Sequence, residues 1–108
     1  MSEQRSMRDG PFGWWDKRTL RLIRKNCDPS RNAVSVYLAL CEISSTRASN
    51  DFTAPLSLIG EYARIASRRV LDDALDQLTF LGLVEVHKST ALRMASAYVL
   101  LRCEADNP

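Results

Sequence analysis

Residues 59–84, IGEYARIASRRVLDDALDQLTFLGLV, decide the fold. A short apolar run ends at Ala63, and a tight turn follows. Ser67 then offers a hydroxyl that can accept from a backbone N–H one turn into a second helix. Leu71, Ala74, Leu75 and Leu78 recur at helical spacing and make one apolar stripe. Gly82 stands where a helix end favours a left-handed residue. Leu83, Val84 and Val86 bring in strand formers, alternating with Glu85, His87 and Lys88. The reading is helix, turn, capped helix, glycine stop, strand.

Working outward, Pro55 starts the helix that ends near Ala63, and Phe52-Thr53 suit a short strand before it. Ser44 to Asp51 reads as a polar loop. Upstream, Ala33, Val34, Val36, Tyr37, Leu38, Ala39, Leu40, Cys41 and Ile43 predict a helix from about Pro29 to Ser45, apolar nearly all round. Such a helix is usually central and covered on several sides. Asp28-Pro29 reads as N-cap and first helical position. Before it, Leu20, Ile23 and Cys27 give the inner face of a helix from about Lys17, with Asp16 as its cap. Ser89 to Ser96 would form a hairpin tip and Ala97 to Arg102 the returning strand.

This order is that of a helix-turn-helix feeding a β-wing. Residues from about Asn32 to Leu101 resemble the winged helix-turn-helix domains of bacterial, phage and plasmid replication initiators and small transcriptional regulators. The resemblance rests on Ala33 to Leu40 (AVSVYLAL), Ile59-Gly60 where the family usually has Leu-Ala, Ser67-Arg68-Arg69-Val70-Leu71, Ala74-Leu75, Leu78 and Gly82-Leu83-Val84. The family often has a glycine in the turn before the serine, whereas Arg64-Ile65 stand near that place here. The expected fold is a single domain, mainly α with a small β-wing (α+β). A tail covers residues 1–13, the winged domain 14–103 and a frayed end 104–108.

The 108 residues and 45% apolar content suit one small core. No stretch approaches the ~18 apolar residues of a membrane span, and Met1 to Asp9 lacks the apolar core of a signal peptide. A cytoplasmic protein is expected. Cys27, Cys41 and Cys103 form no Cys-x-x-Cys pair. They read as small hydrophobes in a reducing compartment. A single His87, no nucleophile beside it and no glycine-rich phosphate loop argue against an enzyme. No cofactor or metal site is expected, because Asp72, Asp73 and Asp76 on one helix cannot supply enough oxygen ligands for a hard cation.

Net charge is only +2, but it is unevenly spread. Residues 1–31 carry eight Lys/Arg against four Asp/Glu, and residues 32–88 carry five against seven. The resemblance implies that the N-terminal half of the helix after Ser67 enters a DNA major groove. Arg68 and Arg69 lie in its first turn, where arginine can read guanine or hold phosphate. Arg64 and Ser67 flank them. Lys17, Arg21, Arg24 and Lys25 form a basic stripe on the first helix, and Lys88 and Arg93 are the cations of the wing. Asp73 joins the candidate contacts as an outward residue of the second turn.

The bland alternatives are specific. Arg68 with Asp72 and Arg69 with Asp73 are i, i+4 pairs, worth only about 0.3–0.5 kcal/mol each. Asp72, Asp73 and Asp76 oppose phosphates, so either the helix enters the groove by its first turn only or the face meets a basic protein surface. Trp14, Trp15, Leu92, Met94 and Tyr98 are apolar material outside the minimal motif and suggest a homodimer contact. Double-stranded DNA is the expected partner, with transcription regulation or replication as the setting. A protein-interaction module in a larger nucleoprotein assembly is the alternative.

Overall fold

A computed structural model describes residues 17–87 and 95–101 of the chain. These residues form a small α+β domain, in the order α1 (Lys17–Asn26), α2 (Ser30–Arg47), β1 (Asp51–Ala54), α3 (Leu56–Ala63), α4 (Arg68–Phe80), β2 (Val84–His87) and β3 (Ser96–Leu100). The tail, Trp14, Trp15, the Asp16 cap, Lys88 to Met94 and Arg102 to Pro108 lie outside the described residues, as do the side chains of Lys17 and Arg18.

The central place expected of α2 follows from its sequence. Ala33, Val36, Tyr37, Ala39, Leu40, Cys41 and Ile43 are all buried, and α2 packs against α1, α3, α4 and β1. Leu71, Ala74, Leu75 and Leu78 make the buried stripe of α4. Full burial of each leucine removes enough apolar surface to contribute about 1.5–3 kcal/mol. Leu20 and Ile23 on α1, and Cys27 just after it, are buried.

The helix ends follow local chemistry, with two departures from expectation. Neither proline occupies a first helical position: Pro29 and Pro55 are themselves the N-cap residues, with extended backbone and no side-chain cap hydrogen bond. Asp28 therefore does not cap α2, and α2 and α3 begin one residue later than their prolines. The second departure is at the end of α2, which runs two residues past Ser45. The polar loop expected from Ser44 is partly helix and partly core. The Thr46 hydroxyl donates to the Glu42 carbonyl, 3.1 Å away. Ser44, fully buried, donates to the Ser49 carbonyl at 2.7 Å and approaches Asn50 Oδ1 at 3.0 Å. Local bonding of this kind satisfies the hydroxyls without breaking the helix.

Gly82 has φ 77° and ends α4 as expected. Its N–H donates to the Thr79 carbonyl and that of Leu83 to Leu78, the paired bonds of a Schellman stop. The same pair of bonds ends α2 at Ala48 (φ 53°) and α3 at Arg64 (φ 62°), where no glycine is present.

The three strands form an antiparallel sheet in the order β1-β3-β2. Val84 faces Leu100, and Val86 and Phe52 both face Tyr98, from opposite sides. These side chains cover one face of the sheet. The Phe52 and Tyr98 rings lie 5.8 Å apart between centroids. Tyr98 is 2% exposed, so it completes the core and is not free for the dimer contact expected of it. The large apolar side chain most open to solvent among the described residues is Phe80, 90% exposed on the last turn of α4.

Candidate nucleic-acid interface

The elbow between α3 and α4 is set by Gly60 and Arg64. A Cβ on Gly60 would lie 2.8 Å from the Ile65 carbonyl oxygen and 3.1 Å from Leu71 Cδ1. Alanine, usual at this place in the resembled family, would not fit this approach. Four residues after Gly60, the left-handed backbone of Arg64 lets Ile65 N–H reach the Gly60 carbonyl at 3.0 Å. Arg64 is the left-handed residue of this turn, with φ 62°. Ser67 caps α4, its Oγ accepting from Val70 N–H at 3.3 Å.

Arg64, Arg68 and Arg69 are exposed and cluster around the start of α4, whose first turn holds no carboxylate. Exposed N–H groups and the helix dipole add positive character there. Neither arginine of α4 forms the i, i+4 ion pair that its spacing allows; among the described residues the ion pair is that of His87 Nε2 with Glu85 Oε1 on β2, at 3.0 Å. Both α4 guanidinium groups are available to an external anion.

Two grooves meet at Arg68. The first, about 770 Å³, follows the elbow, with Leu56, Ile65 and Leu71 forming its apolar wall and Arg64 on its rim. The second, about 670 Å³, lies between α4 and the sheet, where Arg68 meets Ser57, Asp72, Asp76, Thr79 and Tyr98. The acidic residues of α4 are thus divided. Asp72 and Asp76 line the second groove, whereas Asp73 is exposed and lines neither. Burial pushes the Tyr98 phenol above its ordinary pKa, and the charge of Asp72 adds to this, against a hydrogen bond with Ser96. The phenol therefore stays neutral in the groove at physiological pH.

Compared with family models, curated proteins and solved structures, the chain has no match.

The other expected contacts are less concentrated. Arg21, Arg24 and Lys25 are exposed on α1. The link from the α1–α2 connection to α4 comes at Gln77, whose Nε2 donates to the Asp28 carbonyl at 3.3 Å. That point is nine residues beyond Arg68, roughly 13 Å along the helix at 1.5 Å per residue. The C-terminal end of the stripe lies beside the far half of α4, not beside its first turn. Lys17 stands at the start of α1, with its side chain outside the described residues, as are Lys88 and Arg93.

Ser57 and Tyr98 were not among the expected site residues. Ser57 gives only a weak signal, a hydroxyl two residues after a proline. Tyr98 reaches the groove through the sheet register, which the sequence does not display.

No helix among the described residues is long and apolar enough to cross a membrane.

Proposed function

We propose that this chain is a winged helix-turn-helix domain that binds double-stranded DNA without catalysis, as a cytoplasmic transcription regulator or replication accessory factor. The observation that carries the reading is the first turn of α4. Arg68 and Arg69 are exposed there, free of Asp72 and Asp73, beside Arg64 and a capped helix start. Such a surface suits phosphate oxygens and the guanine edge in a major groove. The division of the acidic residues supports entry by the first turn only. Asp72 and Asp76 line the sheet-side groove beside Arg68, beyond the first turn of α4, and that first turn itself carries no carboxylate. Ser57 lies at the start of α3, within reach of a flanking phosphate. We assign the α1 stripe to backbone contact on the flank, without base readout.

The test is the double variant Arg68→Ala/Arg69→Ala in a gel-shift titration. A loss of a few kcal/mol in affinity is expected, at about 1–3 kcal/mol per good base contact, with an unchanged melting temperature. Unchanged affinity would remove α4 from the interface.

A second reading, a protein-interaction module, is favoured by one observation. Phe80 is 90% exposed on the same helix, beyond Asp73 and Asp76. An aromatic next to carboxylates suits a basic, partly apolar protein surface. Binding that responds to Phe80→Ala but not to the arginine pair would select this reading.

A further inference from the structure

We propose that the elbow groove between α3 and α4 binds a small amphipathic carboxylate, an apolar ring system carrying one anionic group, and that this ligand competes with DNA for Arg64 and Arg68.

The apolar half of the ligand follows from the lining. The groove's volume, about 770 Å³, falls in the range of small-molecule sites. Leu56 and Ile65 are half-buried and Leu71 is buried, and with the exposed Ala66 they make an apolar wall. Gly60 adds no side chain to that lining, and even a methyl there would crowd the Ile65 carbonyl oxygen at 2.8 Å. An apolar ring laid on this wall releases the water that now covers it.

The charged half follows from the rim. Two arginines, Arg64 and Arg68, line the groove against one carboxylate, Glu61. All three are exposed, and neither arginine is held in an ion pair. A guanidinium can hold a carboxylate through two parallel N–H···O bonds, and it is more weakly hydrated than an ammonium group. The sheet-side groove shares Arg68 but sets it against two carboxylates, Asp72 and Asp76, which repel an anion. The two grooves meet at one cation and differ in sign, so charge assigns the anion to the elbow. A bare anion leaves the apolar wall wet, and a neutral ring leaves both guanidinium groups unused. Only a molecule with both halves uses the whole groove.

Ligand binding rests on this geometry alone. Competition rests on the DNA reading as well, because Arg64 and Arg68 are also its proposed contacts. Each ligand then weakens the other reciprocally.

Titration of the full chain with 2-naphthoate, without DNA, followed by amide NMR, tests the site. Shifts should centre on residues 56–71. Acetate, the charge without the ring, and 2-naphthamide, the ring without the charge, should each bind roughly tenfold more weakly or worse. Arg64→Gln and Arg68→Gln should each cost 2-naphthoate about tenfold. Ala66→Glu adds a carboxylate at an exposed turn position and should abolish binding. If a variant fails to fold, the three probes on the wild type decide alone. No shifts at millimolar 2-naphthoate, or shifts spread equally over the α1 cations, would overturn the proposal. So would acetate binding as tightly (an adventitious anion only) or 2-naphthamide binding as tightly (an apolar patch only). With a labelled duplex present, 2-naphthoate should lower DNA affinity, and DNA binding unchanged at saturating ligand would overturn the competition. Ligand binding by a chain that binds no DNA removes the DNA reading alone. DNA binding by a chain that ignores 2-naphthoate removes this inference alone.

Discussion

Gly60→Ala sets two opposing effects against each other at the α3–α4 elbow. Alanine is the better helix former by about 0.8–1 kcal/mol, so on propensity alone the change would stabilise α3. The structure places the added methyl 2.8 Å from the Ile65 carbonyl oxygen, a backbone atom, and 3.1 Å from Leu71 Cδ1. The leucine methyl can turn away. The carbonyl cannot move without disturbing the turn in which Ile65 N–H bonds to Gly60. Overpacking of this kind costs typically 1–3 kcal/mol. The clash therefore outweighs the gain, and a net loss of about 1 kcal/mol is expected. For a domain of this size that lowers Tm by roughly 4–8 °C. The assay is thermal unfolding followed by circular dichroism, with a DNA titration beside it. Affinity should fall more than stability accounts for, because a widened elbow re-aims α4. A Tm equal to or above wild type would show that the elbow is not tightly packed and refute the reasoning.

Other expectations follow from the same geometry. Arg64→Gly places glycine at φ 62° and relieves a left-handed arginine. Stability should rise by about 0.5–1 kcal/mol while DNA affinity falls, and a variant that loses neither cation effect nor strain would remove Arg64 from both roles. Burial raises the Cys27 thiol above its usual pKa. Alkylation of Cys27, followed by peptide mass mapping, should therefore be slow near neutral pH and quicken only in alkali or on unfolding; modification as fast as in the denatured chain would contradict its burial. The raised Tyr98 pKa has the same sign: the stability tied to its neutral form is complete below the ordinary tyrosine pKa, about 10, and declines above it as the unfolded chain ionises first. Tyr98→Phe should flatten the alkaline limb of a Tm-against-pH curve.

Much of this fold was legible in the chain because its signals were local. The apolar stripe of α4, its Ser67 cap and its Gly82 stop each depend on neighbours within a few residues. The all-round apolar character of α2 announced its central place. What stayed hidden depended on contacts distant in sequence or on backbone geometry. Ser44 reads as loop, yet its hydroxyl is satisfied by Ser49 within the core. Tyr98 reads as surplus aromatic surface, yet its register partner Phe52 lies 46 residues upstream and completes its burial. Arg64 gives no sign of a left-handed turn, because arginine is a poor choice for one. At the candidate interface the cations were legible, but their independence from Asp72 and Asp73 was not. Spacing allows those pairs, and only the structure shows that they are not made. The exposed Phe80 fits the spacing of neither stripe and was visible only on the surface.

The central claim is that α4 presents arginines to duplex DNA, and its most direct test is the salt dependence of wild-type binding. A short duplex labelled for fluorescence anisotropy would be titrated across a range of salt concentrations. Three phosphates neutralised by Arg64, Arg68 and Arg69 predict a log–log slope of about −2.7, from roughly −0.9 per contact, and steeper if the α1 stripe also reaches the backbone. Arg68→Ala/Arg69→Ala should make it shallower by about two units. Affinity that does not change with salt, or a slope unaltered in the double variant, would contradict the account.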